Sequence, residues 1–327
     1  MAVQITVIGL GQIGASFGLA LAEHKDNVFR CGYDPVPART RKLEKEGVFD
    51  KLFYNLPESI HKADVVILAL PVDQIEDTLK YISEDLKSGV VVIDTSPVRA
   101  GIVDWAVKLL PAERHFISMM PVINAIYLDE KPEEYLTPHA DLFINGEMVI
   151  ATESSTHPDA VKLAADLALL VGSKAYFVDP LEADGISAKV ELLPKLVSSA
   201  LLISTLKQSG WKDIRRFTSK SFQKSTEAVE LLDEKDHLGL SAILNRDNTL
   251  QALDTMIASL GELRAYIEAK DQERLERLLK SVADGRTEWA EQRKSSEWER
   301  SPGEKPPYTK GIFGRLFGVG TKAKNKK

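Results

Sequence analysis

Apolar positions along the first part of the chain come in short uninterrupted runs rather than in alternation. Gln4-Ile5-Thr6-Val7-Ile8, Val28-Phe29-Arg30-Cys31-Gly32-Tyr33, Ala63 to Pro71, Gly89 to Ile93, His115 to Ser118, Met148 to Ala151 and Lys174 to Val178 are β-branched or aromatic and mostly uncharged. Such runs predict strands buried on both faces. Between them lie stretches of helical period: Ala15 to Ala22, Pro35 to Gly47, Val72 to Leu86, Ala100 to Leu110 and about Pro158 to Val171. Strands alternating with helices, without hairpin signals, predict an α/β fold whose parallel sheet carries helices on both faces. Residues 125–146, with Pro132, Pro138 and several acids, read as an irregular excursion.

The pattern changes after Asp179-Pro180. From Leu181 to about Arg293 strand signal is scarce and apolar residues recur every three or four positions. Leu192, Leu196, Ser199, Leu202 and Ile203 trace one stripe, which Pro194 should kink. Leu250, Leu253, Met256, Ile257, Leu260, Leu263 and Ile267 trace a longer one. Wide apolar faces on so few helices call for a partner, and a second copy of the chain supplies one. The expected organisation is a doubly wound domain over residues 1–180, a helical substrate and dimerisation domain over 181–297, and a disordered basic tail over 298–327.

The first strand runs into Gly9-Leu10-Gly11-Gln12-Ile13-Gly14, and the second ends at Asp34, twenty residues past Gly14. That arrangement is a dinucleotide fingerprint. Gly9 allows the sharp turn, Gly11 lets backbone approach a pyrophosphate, and Gly14 lets the helix pack on the sheet. The N–H groups of Gln12 and Ile13 open the helix toward the phosphates. Asp34 suits a ribose diol and repels a 2′-phosphate, so NAD is favoured over NADP. Ligands of such sheets lie beyond the carboxyl ends of the strands. This gathers the glycine turn, Leu70-Pro71-Val72-Asp73, Asp94-Thr95-Ser96 and Met119 to Asn124 around one crevice.

Composition changes this picture little. The chain has 327 residues, 44% hydrophobic and 28% charged, as in ordinary globular proteins. Its charge of −6 hides an uneven split: residues 301–327 hold seven cations against Glu304 alone, leaving an acidic remainder of −12. An acidic body argues against nucleic-acid binding. No run approaches a membrane span, so no stable insertion is expected, although Phe313, Leu316 and Phe317 beside the tail lysines could touch a membrane surface. Cys31 alone cannot form an intrachain disulfide or a zinc cluster, and no metal is expected. The start carries no signal-type segment, and a reducing cytoplasm fits.

Asp64 to Val72, Asp94-Thr95-Ser96-Pro97-Val98-Arg99, Phe116 to Asn124, Gly210-Trp211-Lys212-Asp213-Ile214-Arg215-Arg216 and Asn245-Arg246-Asp247 resemble the prephenate/arogenate dehydrogenase family over roughly residues 3–295. The resemblance implies an NAD-dependent oxidoreductase of tyrosine biosynthesis. It would take a hydride from the ring carbon bearing the 4-hydroxyl while carbon dioxide leaves. It implies that Arg216 binds substrate carboxylate, as a planar guanidinium suits. Asn245 and Arg246 are expected instead to hold the helices in place.

The chain departs from the family at its chemical centre. The family's His-Pro is Met120-Pro121 here, and methionine cannot handle the proton. The serine after Asp-x-Gly is Pro97, with Ser96 adjacent. Ser-His-Leu-Pro-His reads Glu191-Leu192-Leu193-Pro194-Lys195. The replacement candidates are Lys189, Ser96 and Asn124 for catalysis, Lys195 with Arg216 for substrate, and Leu70, Pro71 and Thr95 beside the cofactor. His115, early in its strand, is expected to point away from the crevice. Two alternatives stay open: a β-hydroxyacid-dehydrogenase-like enzyme using Lys189, and a nucleotide-binding protein without turnover.

Overall fold

The computed structural model describes residues 2–130, 134, 137–229 and 237–298. The expected basic tail lies almost wholly outside them. The elements in order are β1 Val3–Ile8, α1 Gln12–Ala20, β2 Val28–Tyr33, α2 Pro37–Lys45, β3 Lys51–Phe53, α3 Leu56–Ile60, β4 Val65–Leu68, α4 Val72–Ile82, β5 Val91–Asp94 and α5 Ile102–Leu109. They continue with β6 His115–Val122, β7 Glu147–Ala151, α6 Pro158–Leu170 and β8 Lys174–Phe177. The helical part holds α7 Pro180–Ser187, α8 Leu193–Leu206, α9 Trp211–Ile214, α10 Lys220–Thr226, α11 Leu238–Leu244, α12 Arg246–Glu268 and α13 Gln272–Ser295.

One eight-stranded sheet has the order β3-β2-β1-β4-β5-β6-β7-β8. The chain starts at β1, works out to β3, then crosses back to β4, so the order reverses beside β1. That reversal opens the crevice in which doubly wound sheets bind their ligands. Two apolar layers cover the sheet. Phe17, Leu21, Phe143, Ala164 and Leu167 pack with Val7, Ile67, Ile93 and Ile117 on one face. Ile60, Ile75, Leu79, Ile82 and Ile102 pack with Ile8, Val66, Leu68 and Val92 on the other.

Three features differ from the sequence-based expectation. β7 runs antiparallel to β6, pairing Ser118 with Ala151 and Val122 with Glu147. The excursion from residue 123 to 146 explains this, because it returns the chain to the top of the sheet instead of crossing over a face. β3 and α3 were not expected, since three exposed-to-half-buried residues on an edge strand carry no apolar run. β6 also extends to Val122, past Pro121, as its pairing with β7 continues through Met148 and Glu147.

The kink expected at Pro194 takes a specific form. Ala188–Leu192 is a π-helical turn between α7 and α8, and Pro194 stands in the first turn of α8. Proline has no N–H to give the carbonyl four residues back, and widening the preceding turn relieves the ring's clash with it.

Candidate active site

The glycine turn is built as its spacing requires. Gly9 has φ +90°, and a Cβ there would sit 2.3 Å from the Ala69 carbonyl oxygen. A Cβ on Gly14 would sit 1.9 Å from the Gly9 carbonyl oxygen, so α1 lies against the turn at a distance only glycine permits. Gly11 faces open space, with nothing within 4 Å of an added Cβ. Two tight glycines beside one that clears room form a cradle for a pyrophosphate at the N-terminus of α1. The residues present therefore fit a dinucleotide.

Asp34 does more than wait for a ribose. Its carboxylate accepts from the Leu10 N–H at 2.8 Å and the Val36 N–H at 2.8 Å, which ties the end of β2 to the glycine turn. Arg39 from α2 closes a 2.8 Å ion pair over it, the arginine side chain 32% exposed and the aspartate 1%. A diol reaches this acid only when the guanidinium moves aside. Gln12 is also engaged, its amide donating to Glu130 at 2.9 Å, while His139 Nε2 lies 2.7 Å from the other Glu130 oxygen. The excursion after β6 thus lies over the glycine turn.

The helical part is fastened to the sheet's carboxyl end by Asn245 and by groups to which the sequence assigned no such role. Asp184 of α7 is buried and accepts from the N–H groups of Arg99 and Ala100, at 3.0 and 3.1 Å. Asn245 donates to the Asp184 carbonyl at 2.7 Å, fulfilling the expectation that it holds helices. Arg246 does not share that role: its side chain is 67% exposed and pairs with neighbouring Asp247. Arg293, buried near the end of α13, donates to the Ile123 carbonyl, and His237 stands 3.1 Å from Asp73. Asp184, Arg293 and His237 lie far from their partners in the chain and belong to none of the quoted motifs, so only a three-dimensional view reveals them.

Between the two parts lies a half-open cavity of about 180 Å³ lined by Leu70, Pro71, Val72 and Pro97 from the sheet side and Leu192, Lys195, Leu238 and Ser241 from the helical side. Lys195 is the cation on its wall among the described residues. Lys189 is exposed on the π turn and does not line it. Arg216 is exposed too, its guanidinium 5.0 Å from the ring centroid of Phe217.

Thr95 donates to the Leu68 carbonyl at 3.0 Å, fixing the turn after β5. Ser96 is buried, with its hydroxyl 2.6 Å from Asp94 and 2.9 Å from the Val98 carbonyl. Asn124 is buried and structural in its contacts, accepting from the Ile126 N–H at 3.3 Å and donating to the Asp141 carbonyl at 3.3 Å. His115 lines a separate groove of about 200 Å³ with Arg99 and Arg114, at the other end of β6 from Met120. Burial, then neighbouring His157, holds its imidazole below the usual range.

Comparison with known proteins accords with this geometry. The family profile described as prephenate dehydrogenase, nucleotide-binding domain matches residues 17–177, and that described as prephenate dehydrogenase, dimerization domain matches residues 179–281. The prephenate dehydrogenase of Bacillus subtilis is 26% identical over 290 residues, covering 86% of this chain and 75% of that one. The cyclohexadienyl dehydrogenase of Zymomonas mobilis is 23% identical over 270 residues, with 82% and 89% covered. A solved structure of Aquifex aeolicus prephenate dehydrogenase, in complex with hydroxyphenyl propionate and NAD+, superposes with a TM-score of 0.76 at 22% identity, covering 88% of this chain and 98% of the other. Two consecutive profiles of one family, together spanning most of the chain, leave one assignment: the chain belongs to the prephenate dehydrogenase family.

Proposed function

We propose that the protein is an NAD-dependent prephenate or arogenate dehydrogenase of tyrosine biosynthesis, working as a homodimer in the cytoplasm. The carrying observation is the cradle formed by Gly9, Gly11 and Gly14 beside a half-open cavity with a cationic wall. The glycine turn, Asp34, Leu70, Pro71 and Thr95 would hold NAD, which supplies the hydride acceptor. Lys195 offers a charge to a substrate carboxylate, and the apolar wall around it suits a ring. Arg216 joins as a second carboxylate-binding candidate, and Lys189 as the cation nearest Lys195 in sequence.

The dimer rests on the helical part. Leu250, Ile257, Leu260 and Ile267 of α12 are 44–64% exposed, and Val282 of α13 is 62% exposed. Covering what each such side chain still exposes is worth roughly 1–2 kcal/mol, and the dimerization-domain profile spans α12. No helix of the described residues is long and apolar enough to cross a membrane.

The functional test is NADH formation followed by absorbance with prephenate and arogenate as separate substrates. Turnover with one of them is expected, with Lys195→Ala raising KM about tenfold or more, as the loss of a charged hydrogen bond implies. Turnover only with small hydroxy acids, and only while Lys189 is present, would replace this reading with the β-hydroxyacid one.

A further inference from the structure

Asp34 is the acid that this kind of turn sets aside for the adenosine ribose, yet its carboxylate is already engaged. Oδ2 accepts from the Leu10 N–H at 2.8 Å and from Arg39 Nη1 at 2.8 Å, and Oδ1 accepts from the Val36 N–H at 2.8 Å. A carboxylate offers about four acceptor directions, and these three donors leave one. A ribose diol brings two hydroxyl groups. The backbone donors are fixed, so Arg39 is the group that must let go before both hydroxyls can donate.

Arg39 is held less firmly than the acid it covers. Its side chain is 32% exposed against 1% for Asp34, and it stands in the first turn of α2. Of its N–H groups one donates to Asp34, and the others meet no protein acceptor among the described residues. A guanidinium has about five such donors, so most of them are unused.

The surroundings carry the same sign. Within α2, Arg39, Arg41, Lys42 and Lys45 stand against Glu44 alone, although the chain as a whole carries −6. An acid at the end of β2 bars a 2′-phosphate by repulsion between like charges, which requires a bare carboxylate. Here the ion pair cancels that charge, and the more exposed member of the pair is a cation with donors to spare.

We propose that Arg39 is a coenzyme-specificity residue that binds the 2′-phosphate of NADP, so that this chain takes NADP as well as NAD. The proposal rests on the dinucleotide reading of the glycine turn. NADP leaves Asp34 its backbone donors and engages the unused donors of the guanidinium, since a planar cation and phosphate oxygens form paired charge-assisted hydrogen bonds. NAD must instead displace Arg39 from Oδ2, and the diol's gain is offset by the charge-assisted bond given up. One arginine therefore raises affinity for the phosphorylated coenzyme and lowers it for the other.

Fluorescence titration of the full chain with NADH and with NADPH tests this without any need for turnover. The parent is expected to bind both saturably, with dissociation constants within about tenfold of each other. Arg39→Ala should weaken NADPH by about 10- to 100-fold, the usual worth of a hydrogen-bonded charge, and leave NADH unchanged or a few-fold tighter. Arg39→Lys keeps the charge without the planar fork and should fall between, and it keeps an ion pair for Asp34 should the alanine variant unfold. Competition isolates the phosphate. Adenosine 2′,5′-bisphosphate should displace NADPH from the parent better than AMP does, and lose that advantage in Arg39→Ala.

A parent that binds NADH but not NADPH at millimolar concentration overturns the proposal. So do variants that weaken both coenzymes equally, as loss of an arginine stacked on the adenine would. A parent that binds neither coenzyme overturns the dinucleotide reading beneath it.

Discussion

Gly14→Ala should strip the protein of most of its stability and all of its cofactor binding. The added methyl would stand 1.9 Å from the Gly9 carbonyl oxygen, 3.0 Å from the Gly9 carbonyl carbon and 3.1 Å from Val7 Cγ1. Two of these neighbours are backbone, and Gly9 cannot yield, since its own position is bounded by Ala69 at 2.3 Å from an ideal Cβ. The helix must therefore lift off the sheet, carrying Ala15 and Phe17 out of a packed core. Overpacking of this kind costs about 3 kcal/mol or more where backbone must shift. Denaturant unfolding should show a lowered midpoint for Gly14→Ala. A variant as stable as the parent would mean that α1 does not close on the turn as described.

Asp94→Asn carries the second large effect, this time on the pH dependence of stability. The folded carboxyl titrates near 7 and the unfolded one near 3.8. Between those values the folded chain holds a proton that the unfolded chain has released. Stability then falls as pH rises through the window, by about 1.4 kcal/mol per pH unit, and levels off above it. Across the whole window this reaches an upper bound of about 4 kcal/mol. Asparagine has nothing to titrate. The variant should therefore gain on the parent progressively from about pH 4 to about pH 8, as read from paired denaturation curves. A constant difference between the two proteins across that range would show that Asp94 is ionised throughout.

The sequence made the nucleotide half legible because its constraints are local. A glycine that must turn, a glycine that must clear space and an acid at the end of the next strand all fall within residues 9–34. Buried strands announce themselves by uninterrupted apolar runs, which is why β1, β2, β4 and β5 were readable and the half-exposed β3 was not. The antiparallel turn of β7 escaped notice because strand direction depends on where residues 123–146 lead the chain, and no local signal records that.

The catalytic half was less legible for a related reason. Its groups are joined by contacts such as Asp184 to the Arg99 N–H, between residues 85 positions apart. Lys189 was read as a catalytic candidate and Lys195 as a substrate ligand, yet Lys189 is exposed on the π turn before Pro194 while Lys195 lies on the cavity wall. Asp94 read as the polar end of a strand. Its isolation from any cation among the described residues is a property of the packed structure alone.

The central claim is that this backbone turn holds a nicotinamide dinucleotide, and titrating NADH while following its fluorescence tests it most directly. The decisive comparison is between the parent chain and Gly11→Val. Open space around Gly11 means that the variant should unfold at nearly the parent's denaturant midpoint. Its isopropyl group would nevertheless occupy the approach of the pyrophosphate. Saturable binding by the parent, weakened about 100-fold or more in an equally stable Gly11→Val, is the predicted result. No binding by the parent at millimolar NADH, or equal binding by both proteins, would contradict it.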